Sequence, residues 1–94
     1  MSARRACRKD ANHDLVKEAL QWRGFTCYDT WQVAQYIPGF PDLLVVKNRR
    51  VILVEVKDGN APLTIAEKRF VAGYEAPLVI VRSLDDLALV DAEV

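Results

Sequence analysis

Residues 51–57 constrain the fold of this chain more than any other part of its sequence. Because side chains alternate between the faces of a β-strand, one face of this segment carries only Ile and Val. The other face carries two apolar residues before it ends in Glu55 and Lys57. A strand that is apolar on both faces is normally buried between layers, where charged groups are costly unless they are paired or bound to a metal ion. The segment therefore predicts a layered domain with a polar site at the end of a central strand.

A second strand, residues 42–46, precedes this segment and is predicted to pair with it. A short polar run joins the two, which is typical of a β-hairpin. If Asn48 and Arg49 form the turn, the pairing continues until Asp42 lies opposite Glu55, with Cβ atoms about 5 Å apart. Two carboxylates at that distance should not both stay ionised without a cation between them, and Mg²⁺ prefers such oxygen ligands. A shift of one residue would move Asp42 to the other face, so this prediction depends on the turn.

Three helices are predicted around the hairpin. Apolar positions at helical spacing predict the first helix from about Asn12 to near Gly24. The spacing of Thr64 and Glu67 is that of a capping box, which predicts a second helix through about Gly73. Ser83 is expected to cap a short last helix by the same kind of hydrogen bond.

Further strand composition is found in residues 25–28, 32–37 and 78–81. We predict the order α-β-β-β-α-β-α, an α/β domain with a central mixed β-sheet flanked by helices. Four runs before the second helix have strand composition, whereas this order has three strands there.

Length and composition indicate one domain. The 94 residues fit residues 1–10 as a flexible basic arm and residues 11–94 as a single domain, and 51% hydrophobic residues are enough for a core. Cys7 and Cys27 are too few for a zinc site or a disulfide framework, so we expect free thiols. No apolar run approaches the roughly 18 residues that cross a bilayer, and the start lacks the apolar region of a secretory signal. We therefore expect a soluble cytoplasmic protein without a membrane partner.

The charges are distributed unevenly although the net charge is zero. Residues 1–57 contain ten Lys and Arg against six Asp and Glu, whereas residues 58–94 contain three against seven. Such asymmetry between the halves of a chain hints at a polyanion partner. A solvated charge pattern with no partner explains it equally well.

Two motifs give the chain a resemblance to a known family. Pro41-Asp42 begins one strand, and Glu55-x-Lys57 ends the next apolar strand, within the runs 39–45 and 53–57. This arrangement resembles the PD-(D/E)XK nuclease superfamily, and the chain is most similar to small VRR-NUC and archaeal-type Holliday junction resolvase domains, many of them phage-encoded. The resemblance covers roughly residues 10–90 and implies a restriction-endonuclease-like core.

The resemblance also implies a role for each motif residue. Asp42 and Glu55 would hold Mg²⁺ or Mn²⁺, assisted by the backbone carbonyl of Val56. Lys57 would position the attacking water or help to deprotonate it. The ion would supply Lewis acidity and charge stabilisation at the scissile phosphate. Asp42, Glu55 and Lys57 are therefore the expected catalytic residues.

The first helix departs from the family pattern, which places an acidic residue there. The best-aligned residue is Asn12, which is either a weaker metal ligand or only a helix cap. Asp14 and Glu18 share a helix face, and either is a solvated residue or the replacement acid. His13 is expected to be incidental. The VRR-NUC pattern often has Gln near Glu67, but the capping box already explains Glu67.

Basic clusters are the expected contacts to DNA, since affinity for nucleic acid comes largely from Lys and Arg at phosphates. Ordinary surface solubility is the alternative for each cluster. We see no base-reading module, which favours recognition of backbone and shape. The candidate DNA-binding residues are Arg4, Arg5, Arg8 and Lys9 in the arm, Arg49 and Arg50 at the hairpin tip, and Lys68 and Arg69 in the second helix.

The function implied by the resemblance is that of a Mg²⁺-dependent, structure-selective DNA endonuclease, above all a Holliday junction resolvase. A VRR-NUC-type nuclease of flaps, nicks or non-specific duplex is one alternative, and a non-catalytic DNA-binding protein with a nuclease fold is another. Related resolvases are two-fold dimers, so a homodimer is expected. Trp31, Tyr36 and Phe40 either belong to the core or form the dimer surface. No small-molecule cofactor is expected.

Overall fold

A computed structural model describes residues 12–94, which form a four-stranded mixed sheet flanked by helices. The strands lie in the order β1-β2-β3-β4, antiparallel except for the parallel pair β3 and β4. This confirms the predicted α/β class, the mixed sheet and the order α-β-β-β-α-β-α. The elements are α1 (His13–Trp22), β1 (Thr26–Asp29), β2 (Leu43–Lys47), β3 (Arg50–Val56), α2 (Ile65–Gly73), β4 (Leu78–Val81) and α3 (Leu87–Asp91).

The β2–β3 hairpin has the predicted turn and register. Asn48 and Arg49 have φ values of 53° and 66°, so both lie in the left-handed region that a two-residue hairpin turn with the twist of the strands requires. The paired residues run from Lys47 opposite Arg50 to Leu43 opposite Val54. The next step of the same register places Asp42 opposite Glu55.

Two local predictions were wrong. Residues 32–37 do not form a strand but lie at a short 3₁₀-helix, Trp31–Gln35. Since β1 pairs directly with β2, the intervening backbone bonds locally, with Val33 N–H donating to the Thr30 carbonyl. Ser83 makes no capping hydrogen bond through its side chain. The backbone N–H of Arg82 instead donates to the carboxylate of Asp86, at 2.8 Å.

One face of the sheet packs against α1 and α3 and forms the core. Side chains at alternate positions of β2, β3 and β4 meet the inner faces of the two helices, and most are completely buried. This core contains Val16, Leu20, Phe25, Leu43, Val45, Ile52, Val54, Val56, Val79, Val81, Leu87 and Val90. Asp42 and Glu55 are one position away from buried core residues, so they project from the opposite face. Within residues 12–94 no helix is long and apolar enough to cross a membrane.

Gly39 allows the segment before Asp42 to lie directly against the first turn of α2. Its φ is +83°, and a Cβ at this position would lie 2.2 Å from the carbonyl oxygen of Ala66. We expect Gly39→Ala to lower the free energy of unfolding by about 2–4 kcal/mol, because it combines left-handed strain with a backbone clash. Urea unfolding measures this loss.

Gly59 provides the matched control for this prediction. It also has a positive φ, +56°, but a Cβ there would meet nothing within 4 Å. Gly59→Ala should therefore cost only about 1 kcal/mol, the strain alone. Equal losses in the two variants would contradict the close approach at Gly39.

Candidate active site

Asp42 and Glu55 lie at the same end of the hairpin, on the sheet face opposite the core. Asp42 directly precedes β2, and its backbone carbonyl accepts a hydrogen bond from Thr30 N–H at 2.8 Å. Its carboxylate Oδ2 accepts a hydrogen bond from Val56 N–H, also at 2.8 Å. Because the N–H and C=O of one strand residue point toward the same neighbouring strand, the Val56 carbonyl lies on the side of β3 that faces Asp42.

Glu55 is a buried acid whose surroundings disfavour its charged form. Its exposure is 2%, and burial together with the nearby charges of Asp42 and Glu67 raises the pKa of its carboxyl from 4.5 to about 10. The ammonium of Lys57 only partly opposes this shift. Without a bound cation, these surroundings favour the protonated form of Glu55 at neutral pH.

Lys57 is held between two acids. Its Nζ lies 2.8 Å from Oε1 of Glu67 and 4.0 Å from Oε2 of Glu55. Glu67 also forms the predicted capping box, since its Oε1 accepts from Thr64 N–H at 2.8 Å and its own N–H donates to the Thr64 hydroxyl at 3.1 Å. Burial raises the pKa of Glu67, but the bonds from Lys57 and Thr64 outweigh burial and leave the pKa lowered.

Asn12 connects α1 to the site but does not cap the helix with its side chain. Its Nδ2 lies 3.4 Å from the carbonyl oxygen of Lys57 and 3.5 Å from that of Arg82. Asn12 is the N-cap residue of α1, as predicted, but its side chain makes no capping hydrogen bond. Asn12 thus lies at the ends of β3 and β4, and its role as a metal ligand stays a prediction.

The other polar residues of α1 do not join this group of acids. His13 is buried, and its Nε2 lies 2.8 Å from Oδ1 of Asp29 on the core side of the sheet. Burial raises the pKa of Asp29, but its bonds from Lys17 and His13 outweigh burial and leave the pKa lowered. Asp14 and Glu18 are exposed.

Sequence reasoning did not predict the contacts of two residues at this site. It noted that the VRR-NUC pattern often has Gln near Glu67 but favoured the capping box, because nothing in the local pattern indicates the contact of Glu67 with Lys57. It also overlooked Arg82, whose Nη1 donates to the carbonyl oxygens of Gly59 at 2.9 Å and Ala61 at 2.6 Å. Arg82 thereby fixes the loop that follows Lys57. A lone Arg after an apolar strand gives no local signal of such contacts.

The basic clusters lie at different distances from the acids. Arg49 and Arg50 are exposed at the hairpin tip, five strand steps and about 17 Å from Asp42. Lys68 and Arg69 are exposed on α2, directly after Glu67. The predicted arm, with Arg4, Arg5, Arg8 and Lys9, lies outside the described residues, as does Cys7.

The aromatic residues before Asp42, which were predicted to lie either in the core or at a dimer surface, differ in their exposure. Phe40 is half-buried against Phe70, with ring centroids 5.3 Å apart. Trp31 is also half-buried, whereas Tyr36 is 83% exposed. Phe40 thus anchors the segment to α2, and Tyr36 is available for contact with another molecule.

The donor set suits a hard cation with water ligands. Among residues 12–94 no group of three or more His, Cys, Asp and Glu side chains could hold a metal ion. Asp42 and Glu55 supply two carboxylates, and Val56 supplies a carbonyl on the same side. Mg²⁺ is commonly held by one or two carboxylates and keeps several waters, so these residues fit it.

Comparison with known proteins identifies no relative. No family model, curated protein or solved structure matches this chain.

Proposed function

We propose that this protein is a Mg²⁺-dependent, structure-selective DNA endonuclease with a restriction-endonuclease-like core, most specifically a Holliday junction resolvase of the PD-(D/E)XK type. The observation that carries the proposal is the position of Asp42 opposite the buried acid Glu55, with Lys57 two residues further along the same strand face. Burial and the charges of Asp42 and Glu67 raise the pKa of Glu55, and Lys57 only partly opposes this shift. A divalent cation between Asp42 and Glu55 would offset the repulsion of their ionised carboxylates.

Each residue of the site then has a chemical task. Asp42, Glu55 and the carbonyl of Val56 hold the cation, and Asn12 offers a further oxygen. When bound, Mg²⁺ or Mn²⁺ supplies Lewis acidity and stabilises charge at the scissile phosphate. Lys57 orients the attacking water and assists its deprotonation.

The substrate class follows from the surface. Arg49, Arg50, Lys68 and Arg69 are exposed cations that suit phosphate contacts, which set orientation without reading sequence. Recognition of shape is therefore the proposed mode, with branched DNA as the substrate. A two-fold dimer would cut a four-way junction symmetrically, and the exposed side chains of Tyr36 and Ile37 are available for its interface.

Cleavage of end-labelled synthetic DNA tests the proposal. Four-way junction, flap, nicked duplex and linear duplex are each incubated with the protein in Mg²⁺ or in EDTA, and the products are mapped. Paired symmetric cuts in the junction, present in Mg²⁺ and absent in EDTA, are expected. Preferred cutting of flaps or nicks would replace the resolvase by the VRR-NUC-type activity. The mass in solution should be that of a dimer.

A non-catalytic DNA-binding protein is the second candidate, and one observation favours it. Asn12, whose Nδ2 lies 3.4 Å from the carbonyl oxygen of Lys57, stands where the nucleases that the chain resembles have an acid, and a neutral amide oxygen is a weaker cation ligand than a carboxylate. Junction binding without cleavage under any divalent cation would support this candidate and overturn the nuclease.

A further inference from the structure

In the proposed site, the Lys57 ammonium needs an anionic partner other than the carboxylates that bind the cation. A lysine side chain is flexible, so its ammonium can adopt many positions unless a partner holds it. The Lys57 side chain is only 13% exposed. Two acids among residues 12–94 pair with Lys57, and of these Glu55 is 4.0 Å from Nζ and belongs to the proposed cation site. Glu67 is closer, at 2.8 Å.

Glu67 is itself fixed in place by its surroundings. Its Oε1 accepts the N–H of Thr64 in addition to the ammonium of Lys57, and its position in the first turn of α2 favours a negative charge. A Cβ built at Gly39 would lie 2.9 Å from the backbone nitrogen of Glu67. The segment before Asp42 is therefore in close contact with this turn. The start of α2 is thus in direct contact with both the segment before Asp42 and Lys57.

We infer that Glu67 is a positioning residue, which holds the Lys57 ammonium in place while Asp42 and Glu55 bind the cation. This inference rests on the proposed function for its kinetic consequence, but the contact itself is independent of it. Glu67 is assigned to Lys57 and not to the cation, because its Oε1 already accepts from the Lys57 ammonium and from Thr64 N–H. Helix α2 is thereby part of the active site and not only a cover for the sheet.

Three variants separate positioning from helix capping. Glu67→Ala removes both the Lys57 partner and part of the capping box. Glu67→Gln retains an oxygen that accepts from Lys57 and Thr64. Thr64→Ala removes the capping hydroxyl but leaves the carboxylate of Glu67 in place, so it is the matched control for loss of helix stability.

Nuclear magnetic resonance of the ammonium groups tests the contact without any DNA. The chain has five lysines, so ¹⁵N-labelled Nζ signals are few, and Lys57→Arg identifies the Lys57 signal. We expect a slowly exchanging Lys57 ammonium in the wild type and in Thr64→Ala, and its loss in Glu67→Ala. The same Lys57 signal in the wild type and Glu67→Ala would overturn the inference.

Junction-cleavage kinetics test the consequence. Glu67→Ala should lower kcat about 10–100-fold with KM within about threefold, as expected when a supporting contact of the reacting groups is lost. Glu67→Gln should recover kcat to within about tenfold of the wild type, and Thr64→Ala should stay within about threefold. Equal loss in Glu67→Ala and Thr64→Ala, or loss of Mn²⁺ binding in Glu67→Ala, would overturn the positioning role. If the wild type cleaves nothing, the proposed function fails, and the ammonium signals still decide the role of Glu67.

Discussion

Asp42→Ala and Glu55→Ala are each expected to lower the rate of junction cleavage by about 10³-fold or more. In the proposed site each variant removes one of the two carboxylates that would hold the cation, and a bound cation would contribute several kcal/mol to stabilising the transition state. Affinity for the junction should change by less than about threefold, because phosphate contacts by Lys and Arg dominate it. Single-turnover cleavage in Mg²⁺ and binding in EDTA measure the two quantities separately.

Glu75→Ala is the matched control for these variants. Glu75 is an exposed acid outside the site, so its removal should leave the cleavage rate within about twofold. Wild-type rates in Asp42→Ala or Glu55→Ala would refute the assignment of the active site. A parallel loss of junction binding in both variants would point to misfolding or to a binding role.

Glu55→Gln is expected to stabilise the cation-free protein at pH 8 by about 2–4 kcal/mol. The pKa of Glu55 is raised from 4.5 to about 10 on folding, so above pH 4.5 the folded state retains a proton that the unfolded state releases. The stability of the wild type therefore falls as pH rises from about 4.5 toward 10, and Gln removes this dependence. Below pH 4 both states are protonated, and the two proteins should differ little.

Urea unfolding of the wild type and Glu55→Gln between pH 4 and pH 9, in EDTA, measures this difference. A gap that widens with pH is the expected result. A variant less stable than the wild type at pH 8, or a gap independent of pH, would show that Glu55 is not held protonated in the fold. A destabilising acid at the end of a buried strand is typical of a functional site, since catalysis requires groups that folding alone would not select.

The geometry of the two acids could be predicted because a local rule determines it. Asn48 and Arg49 form the two-residue turn, the turn sets the register, and the register places Asp42 opposite Glu55. The capping box at Thr64 was predictable for the same reason, since both partners lie within one helical turn.

The contacts around Lys57 could not be predicted because they join elements that are distant in sequence. Asn12 reaches the carbonyl of Lys57 across 45 residues, and Arg82 holds the loop at Gly59 across 23. Glu67 is closer in sequence, but the approach of α2 to the sheet determines its contact with Lys57. The prediction of a strand at residues 32–37 was wrong because aromatic and β-branched composition describes side chains, whereas the backbone there bonds locally at the 3₁₀-helix Trp31–Gln35.

Calorimetric titration of Mn²⁺ into the cation-free protein at pH 7.5 tests most directly whether Asp42 and Glu55 form a cation site. We predict saturable binding to the wild type, with release of about one proton per ion because Glu55 must ionise to become a ligand. Asp42→Asn and Glu55→Gln should abolish this binding, while Glu75→Gln should leave it unchanged. Undiminished binding in Asp42→Asn and Glu55→Gln, or no binding to the wild type, would contradict the account.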